Sequence, residues 1–495
     1  MKKRSLYILF TLLFAVGFIS CTKLEENPKS VIVSSQFYQT SADAVAAVNA
    51  VYNTLNSDPL GDFPMYGRQL NLLTDNASDN QNFSPSNTNP DVRALSTVTY
   101  VSINGMILKN WQQHYFGINR ANIAIDNILA IPATQFSNPS LQARLVNEAK
   151  FIRALLYFNL VRLFGGIPLV LHNPTSVDVN TLQVSRAPLD SVYAQIISDL
   201  NDATGLPPTY TGADVGRVTS GAAHTLLAKV YVTCKEWPKA LSELQAIFNG
   251  GYGYSLFPNF ADVFKKATKN SAEHIFSVQF ATNGGEANTT QYLSSSFTSF
   301  NTGTYPIDIP SDNSIAAIFD STDTRKAVTF YTSQYNAANG QTVIFQNPYT
   351  PYFNKFVDYS LSPLNNQSIS GINYTVLRYA EVLLLNAEVL NEINGAPTAE
   401  AYSAINQVRT RAHLADLTPG LRQADFRDSV FLERRKEFIQ EGQRWFDLVR
   451  QGGAILVDAL KKIPAKQSAS LRDSLYPIPQ TEIQLDPLLT QNPGW

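Results

Sequence analysis

The chain has 495 residues, of which 44% are hydrophobic, 11% aromatic and only 16% charged, with a formal net charge of -2. That length and apolar content suffice for a sizeable core and argue against wholesale disorder, and the near-neutral balance lacks the basic footprint of a nucleic-acid binder. The only cysteines are Cys21 and Cys234, so no disulfide framework supports the fold.

The N-terminus reads as an address. Lys2-Lys3-Arg4 form a positive region, Leu6 to Ile19 an apolar one, and small Ser20 precedes Cys21. This is the pattern of a bacterial lipoprotein signal over residues 1–20, with Cys21 as the lipidated first residue of the mature chain. The apolar stretch is shorter than the roughly 20 residues of a membrane-spanning helix, and no later stretch reaches 18 apolar residues. The expectation is a chain anchored to the membrane that does not span it. Residues 21–40 form a polar tether carrying Glu25-Glu26.

Helical periodicity begins at Ser41, a candidate cap for a helix to Leu55 with Val45, Val48 and Tyr52 at helical spacing. From Asp58 to Asn104 the pattern dissolves into Asn, Asp, Ser and Pro, which predicts a long irregular segment. Trp111, Tyr115, Ile118, Ile125 and Leu129 then mark one apolar stripe, and Leu141 to Phe164 a helix stopped by Gly165-Gly166. Further helices are predicted over Pro188–Asp202, Ser220–Glu236 and Trp237–Asn249.

The last two carry a tetratricopeptide-like pattern at His224, Leu227, Ala228, Tyr231, Ala240 and Leu244, where the small residues let two helices approach closely. A comparable pair follows at Tyr379–Asn394 and Thr398–Ala412. Such pairs cannot bury their apolar faces alone, so several must stack. The predicted fold is mainly α, a superhelical frame of tetratricopeptide-like pairs elaborated by long loops and short β-hairpins. Residues 41–495 form one domain: a helical half to 250, and a second half whose residues 281–371 are loop-rich, with a hairpin suggested near Val343–Phe345.

Catalytic signatures are absent: there is no HExxH, GxSxG, Walker loop or EF-hand ladder, and the five histidines are scattered. Cys234 reads as an apolar filler. The densest charged stretch, Glu433 to Arg450, could offer a carboxylate pair for glycan hydrolysis. Its apolar pairs Phe431/Leu432, Phe438/Ile439 and Trp445/Phe446 recur every seven residues, however. That favours a structural helix with Glu441–Arg444 and Asp447–Arg450 pairs on its flank and Gly442 in its interior at a close backbone approach.

Five ordered motifs resemble the SusD/RagB family of outer-membrane nutrient-binding lipoproteins. They are Trp111-x3-Tyr115-x2-Ile118-Asn119-Arg120-Ala121-Asn122; Glu148 to Pro168 with its Phe164-Gly165-Gly166-Ile167-Pro168 ending; Leu377-Arg378-Tyr379-Ala380-Glu381; Glu433-Arg434-Arg435-x-Glu437-Phe438-x2-Glu441-Gly442-x-Arg444-x2-Asp447-Leu448; and Tyr476-Pro477-Ile478-Pro479 with Gln491-Asn492-Pro493-Gly494-Trp495. The resemblance implies a non-enzymatic, cofactor-free protein, lipid-anchored in the outer membrane facing the exterior. Such a protein binds an oligosaccharide or other nutrient and delivers it to a SusC-like TonB-dependent transporter. A surface glycan hydrolase and a tetratricopeptide-type protein-binding scaffold are the alternatives.

The motifs are scaffold, so the ligand site is sought outside them and outside the four tryptophans. Sugars ask for flat aromatics beside hydrogen-bonding groups. Two segments have that mixture. Asp62 to Tyr100 holds Tyr66, Asp75, Asn76, Asp79, Asn80 and Phe83, and Tyr292 to Tyr352 holds Phe300, Tyr305, Tyr335 and Tyr349. At least one of Tyr66, Tyr305, Tyr335 and Tyr349 is expected to stack on the ligand.

Overall fold

A computed structural model describes residues 37–57, 63–83, 88–136, 138–174, 176, 178–282, 307–308, 315–336, 341–344, 352–361 and 370–495. Cys21, the signal and most of the tether lie outside the described residues. No helix among the described residues is long and apolar enough to cross a membrane.

The frame is built from the helices α1 (Ser41–Asn53), α2 (Pro90–Thr97), α3 (Gly105–Ala130), α4 (Pro139–Phe164), α5 (Leu189–Ala203), α6 (Ser220–Thr233) and α7 (Trp237–Asn249); α1 packs on α3 and α4, and from α2 onward each helix packs on the next. The apolar spacing explains them, since Ile118, Ile125, Leu227, Ala228, Ala240 and Leu244 are all buried. Leu129 departs from its predicted stripe and is exposed. The cap of α1 is Thr40, not Ser41: its hydroxyl accepts from the Asp43 N–H while the Asp43 carboxylate accepts from the Thr40 N–H. Cys234 is half-buried at the C-terminus of α6, and burial pushes its thiol up to about 11, in keeping with a packing role.

After α7 the chain leaves the frame. It returns at α8 (Tyr379–Asn394), which packs against α7, and continues as α9 (Ala399–Arg411), α10 (Gln423–Glu437), α11 (Arg444–Gln451) and α12 (Gly453–Lys461). The excursion is closed at its root by an antiparallel ladder between His274–Val278 and Tyr374–Arg378. Within it, Phe330–Tyr331 pairs with Tyr352–Phe353, and Ser333–Asn336 with Gln341–Ile344. The latter pair is the hairpin expected near Val343.

Two sequence expectations are corrected. The segment predicted as irregular from Asp58 to Asn104 is, where described, largely wound and buried. Met65–Gln69 is a turn kinked at Tyr66 and Gly67, Leu72–Asn76 is a π-helical turn and Pro90–Thr97 is α2. Its polar residues are buried because distant parts of the chain supply their partners. The charged stretch is not one helix either. Helix α10 ends at Glu437 and α11 begins at Arg444, and Gly442 between them has φ +70°. A Cβ there would lie 3.0 Å from the Tyr374 hydroxyl, so the predicted close approach exists, but in a left-handed turn and not in a helix interior. The turn separates Glu441 from Arg444: Glu441 binds Lys355 and Arg378, whereas Arg444 binds Asp79. The Asp447–Arg450 pair forms as expected, at 3.0 Å.

Candidate ligand-binding surface

The excursion is bolted to the frame by buried ions. Arg325 binds Asp323 at 2.8 Å, Glu433 at 2.6 Å and Glu437 at 2.9 Å. Lys355 donates to Glu441 at 2.5 Å and to the carbonyls of Glu437 and Ile439. Arg378 spans Glu273, Glu437 and Glu441 at 2.6–2.8 Å, and Arg411 closes the ring on Glu273 and Glu437. Burial alone would raise the Glu437 carboxyl, but Arg411, Arg378 and Arg325 outweigh it and hold it well below the usual carboxylate range. A carboxylate so held is no proton donor at neutral pH. The stretch that suggested hydrolysis is thus an anchor for residues 323–378.

A second set of ions fixes the earlier segment. Asp79 accepts from Arg444 at 2.8 and 2.9 Å and forms an ion pair with Arg435 at 2.9 Å. Arg435 also donates to the Asn80 side chain at 2.8 Å, and Lys466 to the carbonyls of Asn76 and Ser78. Burial opposes the charge on Asp79, but Arg435 and Arg444 overcome it and keep the carboxyl well below its ordinary range. Asp75 differs. Its Oδ2 accepts from the Gly442 N–H at 2.9 Å and from Asn71 at 2.6 Å, its Oδ1 has no partner, and burial pushes it up to about 7.

These contacts reassign the first group of sequence candidates. Tyr66, Asp75, Asn76, Asp79 and Asn80 are 0–3% exposed, so none offers a face to a ligand. The Tyr66 hydroxyl accepts from Asn159 at 2.9 Å, and its ring lies 5.5 Å from that of Tyr374. They form the floor, not the surface. Phe83 is half-buried, 4.9 Å from the Arg93 guanidinium, at the point where the pinned segment emerges. Phe300, Tyr305 and Tyr349 lie outside the described residues, as does the Tyr335 side chain, whose backbone pairs with Thr342. Of the four tryptophans, Trp111 and Trp445 are buried, Trp237 is half-buried at the start of α7, and Trp495 stacks on Tyr100 at 5.2 Å.

The structure also brings the two predicted segments together. Asn82–Phe83 (β1) pairs antiparallel with Ile307–Asp308 (β2), Asn82 opposite Asp308 and Phe83 opposite Ile307. Around the second segment, the rings of Tyr331 and Tyr352 lie 6.2 Å apart, and Tyr359 is 58% exposed with its hydroxyl bonded to Asn354. Sequence reasoning missed Tyr359, which falls just past the predicted boundary at Tyr352. Its signal was an aromatic flanked by Asp358 and Ser360. Among the described residues no group of three or more His, Cys, Asp or Glu side chains could hold a metal ion.

A helical frame thus carries an aromatic-bearing excursion with short two-stranded sheets and locks its charged cluster into the scaffold. Residues 24–232 match the family model described as starch-binding associating with outer membrane, and residues 262–495 match that of the SusD family. SusD-like protein P2 of Formosa agariphila is 30% identical over the full length of both chains. A SusD homologue from Bacteroides thetaiotaomicron superposes with a TM-score of 0.78 at 23% identity, covering 93% of this chain and 98% of that one. Surface glycan-binding protein A from the same organism, in complex with laminarihexaose, superposes at 0.75 with 22% identity, covering 92% and 99%. The chain belongs to the SusD family.

Proposed function

We propose that this chain is a surface glycan-binding lipoprotein, anchored through Cys21 in the outer membrane and facing the exterior. It captures an oligosaccharide and delivers it to a SusC-like TonB-dependent transporter. The observation that carries the reading is the β1–β2 pairing, which joins the two aromatic and amide-rich segments on a floor pinned by buried ions. The fold shared with the laminarihexaose-binding protein supports it. Binding through stacked rings and uncharged hydrogen bonds suits a neutral polyhydroxylated ligand. The candidates for contact are Phe83, Phe300, Tyr305, Tyr335 and Tyr349, with Tyr359 added by its exposure.

Calorimetric titration of the purified protein against an oligosaccharide panel that includes laminarihexaose tests the binding. At least one member should bind saturably, with no new reducing ends after prolonged incubation. Absence of binding across the panel rejects the glycan reading, and release of reducing ends restores the hydrolase. Co-purification of a TonB-dependent barrel from native membranes in mild detergent tests the delivery step, and recovery of the lipoprotein alone counts against it.

A further inference from the structure

A cavity lies inside the frame, and neither strand of the β1–β2 pair lines it. It is a cleft of about 430 Å³ between the C-terminal end of α4, the start of α5, and α6, α8 and α11. That volume falls within the roughly 300–1,000 Å³ of small-molecule sites. Its walls are mostly apolar, with Val161, Leu189, Val232, Leu385, Phe446 and Leu475 among them. It reaches the surface beside Leu189, which is 46% exposed.

Four cations line this apolar space: Arg162, Lys229, Arg434 and Arg450. Three are matched by carboxylates. Lys229 binds Glu381 at 2.8 Å, Arg434 binds Asp447 at 2.9 Å, and Arg450 binds Glu388 and Asp447. Arg162 has no carboxylate within 4.0 Å among the described residues. Its guanidinium is sandwiched between the rings of Phe158 at 3.8 Å and Phe446 at 3.6 Å. Its Nε donates to the Phe158 carbonyl and its Nη2 to Asn159. Nη1 has no partner among the described residues. Stacking covers both faces of the guanidinium and fixes its plane, so what it can still offer is an in-plane N–H edge, the group that best recognises a carboxylate. The side chain is half-buried, and a guanidinium partly withdrawn from water with no counter-ion beside it is stabilised when an anion arrives.

We propose that this cleft binds a small monocarboxylate with an apolar body, its carboxylate bonded to the free edge of Arg162 and its body against Val161, Val232, Leu385 and Phe446. The ligand class follows from one unmatched positive charge in an otherwise apolar and charge-balanced cavity. A neutral sugar would leave its hydroxyls unsatisfied on these walls, so the site is distinct from the proposed glycan surface.

Octanoate, with a single charge and a short apolar chain, is the probe, and 1-octanol and octylammonium are the controls. Calorimetry on the purified protein should show one octanoate site, with octanol and octylammonium at least tenfold weaker. Arg162→Gln should lose at least tenfold in octanoate affinity while oligosaccharide binding stays unchanged. If that variant fails to fold, the comparison of octanoate with octanol on the unaltered protein decides alone. No saturable octanoate binding up to about 5 mM, or octanol binding as tightly as octanoate, overturns the proposal. A folded Arg162→Gln variant with unchanged octanoate affinity does the same.

Discussion

Asp79→Ala should be among the most damaging single substitutions in the protein although it touches no ligand. The carboxylate, 1% exposed, accepts two charge-assisted bonds of 2.8 and 2.9 Å from Arg444 and pairs with Arg435 at 2.9 Å. Without it, Arg435 keeps the Asn80 side chain and the Asp79 carbonyl, but Arg444 keeps no hydrogen bond to the described residues. Removing one partner of a buried pair leaves an uncompensated charge, which costs about 3–5 kcal/mol. Set against a typical total of about 5–15 kcal/mol, that is a large fraction. Urea unfolding should show a midpoint lowered by that amount at unchanged slope. The coupling is the sharper readout: Arg444→Met in the Asp79→Ala background should cost much less than it does alone, because the charge it removes is already unpaired. A loss below about 1 kcal/mol, or fully additive effects, would refute the assignment of Asp79 as the pin of this segment.

Other outcomes follow from the same geometry. Asp75, raised to about 7 by burial, binds its proton more tightly folded than unfolded. Its stabilising contribution is therefore full only below the unfolded value near 4 and lost as pH rises through 7, a difference of about 3 kcal/mol between pH 4.5 and 8 that Asp75→Asn should remove from the urea unfolding free energy. Truncation to Ala at Phe83, Tyr305, Tyr335 and Tyr349 should cost about 1–2 kcal/mol, roughly 5–30-fold in glycan affinity, at one position or more. Four unchanged titrations with intact circular dichroism would remove this surface. Cys21→Ala should release folded protein from the outer-membrane fraction, and its retention there in the absence of the transporter would show a second attachment.

The helices were legible because an apolar stripe needs no knowledge of the partner. Ala228 and Ala240 announce a close helix pair in their own windows, and both are fully buried. Residues 63–83 were not legible for the opposite reason. Asn71, Asp75, Asn76, Asp79 and Asn80 read as a solvated loop because polar side chains are ordinarily left in water. What buries them is Arg435, Arg444 and Lys466, which lie more than 350 positions away and whose pairing no local pattern displays. Gly442 shows the same limit at one residue: the sequence announces a close approach, but only the Tyr374 hydroxyl and the Asp75 carboxylate on either side reveal that a left-handed turn provides it.

That asymmetry bears on where specificity can reside. The charged residues that read most like chemistry are spent on holding the excursion and the 63–83 segment in register. Every carboxylate of the Glu273–Glu433–Glu437–Glu441 cluster is bound by a buried arginine or lysine. A floor fixed by ions is costly to alter, because a change at one partner strands another. Aromatic and amide side chains at the tip carry no such debt, since replacing one leaves no buried charge behind. At the proposed contact positions Phe83 and Tyr359 a substitution therefore strands no buried charge, so ligand preference can change there while the frame stays the same.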